Sequence, residues 1–173
     1  FKNRMFETFK VTKDNKKAYE TTKRYAEKYP IENGLGLLIT GTCGTGKTHL
    51  AVAILHAILD KGYPGLFCTV PDLLAEIRKS YNGDQDSEKI QKVKSARFLV
   101  LDDLGAEKTT DWVQEQLYMI INYRYEYELA TVITSNLDIG QLSQKVGERT
   151  TSRLLEMCIG VKLNGEDYRA KVR

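Results

Sequence analysis

The chain has 173 residues, 42% of them hydrophobic, and carries a net charge of +3 at pH 7. Its length suits one domain, no apolar run reaches the ~18 residues that a membrane-spanning helix needs, and the basic N-terminus lacks the apolar core of a signal peptide. Three cysteines, an odd number with no C-x-x-C pair, favour a reducing compartment over a disulfide framework, so we expect a cytoplasmic protein without a membrane partner.

Residues 1–30 form a basic flank. They hold nine Lys/Arg against four Asp/Glu, a net of +5, so the remainder of the chain nets −2. We expect the phenylalanines near its start, Phe1, Phe6 and Phe9, to dock onto the domain. Apolar residues at i, i+3, i+4 spacing predict a helix over 15–28. Such a flank could contact nucleic acid, and a solvated helix face is the plainer alternative.

Short apolar runs alternate with amphipathic stretches over residues 31–173. The runs predict strands over 36–40, 66–70, 97–103, 131–136 and 159–163. The stretches predict helices over 49–59, from 71 to a break at 82–84, and over 87–95, 112–128 (capped by Asp111), 137–146 and 149–158. This alternation implies an α/β fold, with a parallel five-stranded sheet and helices on both faces. Ligands bind such sheets at the carboxyl ends of the strands.

The run from Gly41 to Thr48 reads G-x-x-x-x-G-K-[ST], the phosphate-loop pattern, and lies between a predicted strand and a predicted helix. Its glycines permit backbone conformations closed to residues with a Cβ, so successive N–H groups can face phosphate oxygens. Lys47 should reach the β- and γ-phosphates of ATP, and Thr48 should ligate Mg²⁺. The predicted nucleotide-binding residues of this stretch are Gly41, Thr42, Cys43, Gly44, Thr45, Gly46, Lys47, Thr48 and His49.

Two acids end the predicted strand over residues 97–103, which is otherwise apolar. Asp102 should hold Mg²⁺ through water, and Asp103 is the candidate for orienting the attacking water. Two acids in this place favour hydrolysis over simple nucleotide binding. Asn136 ends the next strand and could hydrogen-bond the γ-phosphate or the water.

Weaker signals come from arginines, histidines and tyrosines. Arg149 and Arg153 lie four apart on one predicted helix, where one could act as an arginine finger, in this chain or on a neighbour, or both could be surface residues. His49 and His56 lie seven apart, too far to share a metal without other ligands. For the tyrosines of helix 112–128 we favour core and rim packing over base stacking; they are Tyr118, Tyr123, Tyr125 and Tyr127.

Four runs together resemble bacterial replicative helicase loaders, the DnaC/DnaI-like proteins of the AAA+ superfamily, and transposition helper ATPases of the IstB type share nearly the same motifs. The runs are Gly-Thr-Cys-Gly-Thr-Gly-Lys-Thr-His-Leu-Ala, Leu-Val-Leu-Asp-Asp-Leu-Gly-Ala-Glu, Thr-Ser-Asn and Ser-Arg-Leu-Leu-Glu-Met. The resemblance covers the whole chain and implies a three-layer AAA+ P-loop fold. Most AAA+ proteins carry glutamate at the second acid, so Asp103 departs from the usual pattern.

The resemblance also implies roles for individual residues. Asn136 matches sensor 1, Arg153 matches an arginine finger acting in trans between self-associated copies, and Arg169 lies where a sensor 2 arginine would bind nucleotide. Residues 76–94 correspond to an element that lines single-stranded DNA. Loaders of this kind carry a separate N-terminal domain that grips the replicative helicase, and we expect this chain to be a fragment without it.

Three hypotheses follow from these residues. The leading one is the ATP-hydrolysing domain of a loader that binds single-stranded DNA and helps to place the replicative helicase. The second is a transposition helper ATPase that acts on duplex DNA. The third, a small-molecule P-loop kinase, would need an acceptor site and an arginine-rich lid, and residues 61–97 do not resemble one.

Overall fold

The computed structural model describes residues 1–80 and 87–171, so the expected helix break at 82–84 lies outside it. Its strands are β1 (Gly36–Thr40), β2 (Leu66–Thr69), β3 (Phe98–Asp102), β4 (Ala130–Ser135) and β5 (Cys158–Lys162). They form one sheet in the order β2-β3-β4-β1-β5, and every neighbouring pair is parallel. The carboxyl ends of all five strands therefore meet at one edge.

Seven α-helices surround this sheet in the part of the chain that the structure describes. They are α1 (Lys16–Lys28), α2 (Lys47–Asp60), α3 (Val70–Ser80), α4 (Ser87–Ser95), α5 (Asp111–Glu126), α6 (Ile139–Val146) and α7 (Glu148–Met157). Short 3-10 helices span Glu32–Gly34 and Tyr168–Lys171. None of the helices in these described ranges combines the length and the hydropathy needed to cross a bilayer.

The alternation of side chains along each strand divides the core into two layers. Leu37 and Ile39 pack with α1 and α2 on one face, whereas Leu38 packs with α3, α5, α6 and α7 on the other. The same alternation separates Val100 from Leu99 on β3. Helices therefore cover both faces of a buried parallel sheet, as such sheets require, and the predicted three-layer α/β fold is confirmed.

Some predicted boundaries differ from the observed ones. The prediction that Asp111 caps the long helix is wrong, because Thr110 is the cap: its hydroxyl accepts a hydrogen bond from the Val113 N–H at 3.2 Å. Asp111 is instead the first helical residue, where a negative charge suits the helix dipole. Helix α2 begins at Lys47, two residues earlier than predicted.

The first nine residues cross α2, and we call them the N-terminal strap. Phe6 and Phe9 are buried in the layer formed by α1 and α2. Phe1 keeps 65% of its surface exposed, and its ring contacts that of Phe67 on β2, with a centroid distance of 4.8 Å. The strap therefore docks onto the domain, mainly through two of its three phenylalanines.

A buried arginine joins α4 and α5 to the sheet. The Arg124 guanidinium is fully buried and donates to the carbonyls of Val93, Lys94 and Ala96 at 3.2, 2.9 and 2.8 Å. It also donates to the Ala130 carbonyl and the Thr131 hydroxyl at the start of β4. Burial lowers the pKa of Arg124 to about 10. These carbonyls replace the water that the guanidinium loses, and they fix the end of α4.

Candidate nucleotide-binding site

The phosphate loop connects β1 to α2. Gly46 precedes α2 with φ of +99°, a conformation that favours glycine, and a Cβ there would lie 2.8 Å from the Phe9 ring. The Lys47 ammonium donates to the Thr42 carbonyl at 2.6 Å, and the buried Thr45 hydroxyl donates to the same oxygen at 2.9 Å. The loop is thus closed by its own polar groups, and its amides precede a helix N-terminus, an arrangement that suits anions.

Asp102, the last residue of β3, and Asp103, which follows it, are linked to this loop by hydroxyl groups. Thr48 Oγ1 donates to the Asp102 carboxylate, with distances of 2.9 and 3.1 Å to its two oxygens. Thr134 Oγ1 donates to Asp102 Oδ1 at 2.6 Å and accepts from the Asp103 N–H at 3.0 Å. Asp103 itself has φ of +65°, so its backbone turns away from the strand. One buried hydroxyl on β4 therefore holds both acids.

A cleft of about 390 Å³ brings most of the predicted site residues together. Those that line it are Cys43, Gly44, Gly46, Lys47, Thr48, His49, Asp102, Asp103, Asn136 and Arg169. Gly41 and Thr42 line an adjoining cavity of about 420 Å³ that also reaches Asn136. Strand order explains the grouping, because β1, β3 and β4 are neighbours and deliver their last residues to one edge.

The C-terminal segment folds back over the phosphate loop. The Tyr168 N–H donates to the Gly44 carbonyl at 3.2 Å, and the Arg169 N–H donates to Asp167 Oδ1 at 2.8 Å. Arg169 thereby lines the cleft, although it lies 122 positions after Lys47 in the sequence.

Burial shifts the pKa values of two charged groups near the cleft. It lowers the pKa of the Lys47 ammonium, against the opposing effects of the Cys43 thiol and of Asp103 and Asp102. It raises the pKa of Glu107, whose Oε1 accepts from the Gly105 N–H at 3.3 Å. Lys47 is thus a desolvated cation that an anionic ligand would stabilise.

Two predicted site residues line neither cavity: Thr45, which is buried inside the loop, and Arg153. The Nε of Arg153 donates to Asn122 Oδ1 at 3.2 Å, and its guanidinium lies 4.4 Å from the Tyr125 ring centroid. Arg149 stacks in the same way on Tyr118 at 4.0 Å. The two arginines therefore lie on the face formed by α5 and α7, and this copy's own nucleotide cleft does not include them.

Sequence reasoning missed three residues of this region. Thr134 had no predicted role of its own, and Phe1 and Arg4 of the strap, which line the cleft, lie far before the loop in sequence. The Thr-Ser-Asn run was the available signal for Thr134, because it places a hydroxyl two residues before the expected sensor.

Solved structures define the class of protein to which this fold belongs. The crystal structure of the DnaC helicase loader superposes with a TM-score of 0.88 and 32% identity, covering 94% of this chain and 97% of that one. DnaA bound to AMPPCP and single-stranded DNA gives a TM-score of 0.82 and 26% identity, over 94% of this chain and 50% of that one. The chain is an ATPase domain of the AAA+ P-loop class.

The family follows from the sequence comparison. The model of the IstB-like ATP binding protein family matches residues 2–173, so the chain belongs to that family. The replicative helicase loader DnaI of Bacillus subtilis is 31% identical over 79% of this chain. The chain spans about half of that relative, 48% of its length. The resemblance to helicase loaders and IstB-type ATPases is therefore confirmed at the level of the family.

Proposed function

We propose that this domain is the ATP-hydrolysing part of a replicative helicase loader that binds single-stranded DNA. The observation that carries the nucleotide chemistry is the hydroxyl-linked path from Thr48 through Asp102 and Thr134 to Asp103. It joins the phosphate loop to the two acids, which are the groups that ATP hydrolysis needs side by side. The loader role is supported by relatives that are named as helicase loaders.

The cleft residues divide the work of binding ATP and its metal. The loop amides and the Lys47 ammonium bind phosphate oxygens, and Arg169 adds a second cation. The Thr48 hydroxyl and the Asp102 carboxylate form an all-oxygen donor set that fits Mg²⁺. When bound, Mg²⁺ neutralises charge on the β- and γ-phosphate oxygens. Lys47→Ala should abolish tight ATP binding with the fold retained; wild-type affinity in calorimetry would refute the site.

Asp103 and Asn136 have different roles in ATP hydrolysis. Both line the cleft, and the positive φ of Asp103 turns this residue away from the line of the strand that ends in Asp102. Asp103 orients the attacking water and takes its proton. Asn136 donates an amide hydrogen to the γ-phosphate or to the water.

Arg153 acts on the nucleotide of a neighbouring copy. Its place on the α5 and α7 face, outside its own cleft, supports a finger supplied in trans by self-association. An isolated domain should therefore hydrolyse ATP slowly, and its specific activity should rise with protein concentration.

Mixing two inactive variants tests this assignment. An Arg153→Ala copy keeps a competent cleft, and a Lys47→Ala copy keeps its arginine, so their mixture should regain activity that neither has alone. Arg149→Ala mixed with Lys47→Ala is the matched control for a stacked arginine on the same helix. A mixture that stays inactive, where wild-type copies demonstrably assemble, refutes the trans role of Arg153.

Basic side chains of α3 and α4 contact the phosphates of single-stranded DNA. The candidates there are the half-buried Lys94 and four exposed residues, Arg78, Lys79, Lys89 and Lys92. Lys89 and Lys92 already pair with Glu76 and Glu88 at 3.4 and 3.0 Å. Exposed pairs of this kind are worth about 0–1 kcal/mol, so DNA phosphates can compete for the lysines. The remaining part of the 76–94 stretch, residues 81–86, lies outside the described residues.

The salt dependence of DNA binding tests these contacts. Glutamine at Lys89, Lys92 and Lys94 should weaken single-strand binding similarly for all sequences and flatten the log–log salt slope by roughly 0.7 per lost contact. The matched control places three glutamines on the basic flank, at Lys13, Lys17 and Lys23. If only the control flattens the slope, the DNA contact lies on the flank instead.

The family match is also compatible with a second function, that of a transposition helper of the IstB type. The two functions differ in their DNA and in their protein partner. A loader prefers single-stranded DNA and, as the full-length protein, binds its own replicative helicase. Preference for duplex DNA together with failure to capture that helicase would favour the transposition helper.

A further inference from the structure

The N-terminal strap is fixed to the helix that carries the phosphate loop. Phe9 packs against Gly46 and meets the His49 ring edge-on, with a centroid distance of 5.2 Å. Phe6 is buried and contacts Tyr19 of α1 at 5.8 Å. Residues that begin the chain thus lie directly beside residues that begin α2.

Two histidines of α2 bond to backbone carbonyls of the strap, one before Arg4 in sequence and one after it. His49 Nε2 lies 2.8 Å from the Met5 carbonyl oxygen, and His56 Nε2 lies 3.3 Å from the Phe1 carbonyl oxygen. That second carbonyl also accepts the N–H of Arg4, at 3.0 Å. A spacing of seven residues places two histidines on one helix face, two turns apart. Their shared task here is to position the strap.

The Arg4 side chain packs on the Phe1 ring and lines the cleft. Its guanidinium lies 4.9 Å from the Phe1 ring centroid, and Phe1 rests in turn on Phe67. Within residues 1–80 and 87–171, no carboxylate oxygen lies within 4.0 Å of its nitrogens. Arg4 lines the same cleft as Lys47 and Asp103. It is therefore a cation with its direction fixed and its hydrogen-bond donors available.

We infer that Arg4 is a further nucleotide-binding residue, whose guanidinium contacts the phosphates of ATP in this cleft. The inference rests on the nucleotide site proposed above and adds a ligand that the loop motif does not contain. Guanidinium suits the task because its planar fork can donate two hydrogen bonds to one phosphate group. His56 is a positioning residue, because its ring nitrogen bonds the Phe1 carbonyl that also accepts the Arg4 N–H, and it does not line the cleft itself.

The direct test compares nucleotide affinities of single variants by calorimetry. Arg4→Gln should bind ATP about 10- to 100-fold more weakly, the usual cost of a hydrogen bond to a charged group. Arg4→Lys, which keeps the charge without the fork, should recover part of the loss. Lys2→Gln is the matched control on the strap and should bind as wild type. Wild-type affinity of Arg4→Gln overturns the inference.

A double-mutant cycle tests the positioning role of His56. His56→Ala should weaken ATP binding in the wild-type background and have little further effect in the Arg4→Gln background. The reason is that both changes remove the same contact, the one between Arg4 and the phosphates. Additive losses would show that His56 acts independently of Arg4 and would overturn this part. Lys47→Ala separates the two levels: if it binds ATP normally, the nucleotide site itself is wrong, whereas loss in Lys47→Ala with no loss in Arg4→Gln refutes Arg4 alone.

Discussion

Thr134→Val should impair both the stability and the catalysis of this domain. Thr134 is buried, and its hydroxyl makes two hydrogen bonds at once, to Asp102 Oδ1 at 2.6 Å and from the Asp103 N–H at 3.0 Å. Valine has the same shape and no hydroxyl. The substitution therefore removes both bonds without opening a cavity.

The structure sets the size of the expected effect. A buried N–H left without an acceptor costs about 1–3 kcal/mol, and a hydrogen bond to a charged group contributes about 1.5–3 kcal/mol. Because one hydroxyl makes both bonds, the losses overlap, and we expect the free energy of unfolding to fall by about 2–4 kcal/mol. Asp102 is the carboxylate that we propose holds Mg²⁺, so loss of its outer support should slow hydrolysis by about 10- to 100-fold.

Denaturant unfolding without nucleotide and single-turnover ATP hydrolysis measure the two effects. Thr134→Ser keeps the hydroxyl and loses one methyl, worth about 0.8 kcal/mol, so it should hydrolyse ATP nearly as wild type. Thr131→Val removes another buried hydroxyl of β4, which bonds Arg124 and Leu129 away from the cleft, and should lower stability alone. If the serine and valine variants of Thr134 hydrolyse equally fast, the hydroxyl does not support the acids.

Three further outcomes follow. Asp103→Asn should keep its backbone, because asparagine tolerates positive φ, bind ATP and hydrolyse it about 10²- to 10⁴-fold more slowly; normal turnover would make Asp103 a turn residue only. Arg124→Met should lower the free energy of unfolding by more than about 3 kcal/mol and raise amide exchange first in α4, whose carbonyls lose their donor; unchanged α4 exchange contradicts this. Burial lowers the pKa of Lys47 below 10.5, and bound phosphates raise it again, so ATP binds the protonated form more tightly. ATP affinity should therefore be full at neutral pH and fall as the pH rises through the lowered pKa. Constant affinity up to pH 10.5 would exclude the ammonium as a ligand.

Both ends of the chain contribute to the nucleotide cleft. The N-terminal strap brings Arg4, and the segment after β5 brings Arg169, so two cations come from outside the central sheet. If these two arginines bind phosphate as proposed, movement of either segment will change phosphate binding without any change in the loop. Nucleotide binding should correspondingly protect the amides of both segments from exchange, since ligands stabilise the state that binds them.

The amino-acid sequence by itself determined the local parts of this protein. The phosphate loop needs only its glycines, Lys47 and Thr48 between an adjacent strand and helix, and all of these are consecutive in the chain. The apolar alternation of strands such as Leu37-Leu38-Ile39 likewise fixed a sheet covered on both faces, because successive side chains must point to opposite sides. Such features depend on backbone geometry over a few residues.

Only the tertiary structure decided which distant residues meet. Periodicity does not specify strand order, so it could not place the Thr134 hydroxyl of β4 against Asp102 and Asp103 at the end of β3. Nor could it show that His56 holds the strap, that Arg124 ends α4, or that Arg153 lies outside its own cleft. These contacts join residues about 30 to 55 positions apart, and they form only when packing of the whole core brings separate elements together.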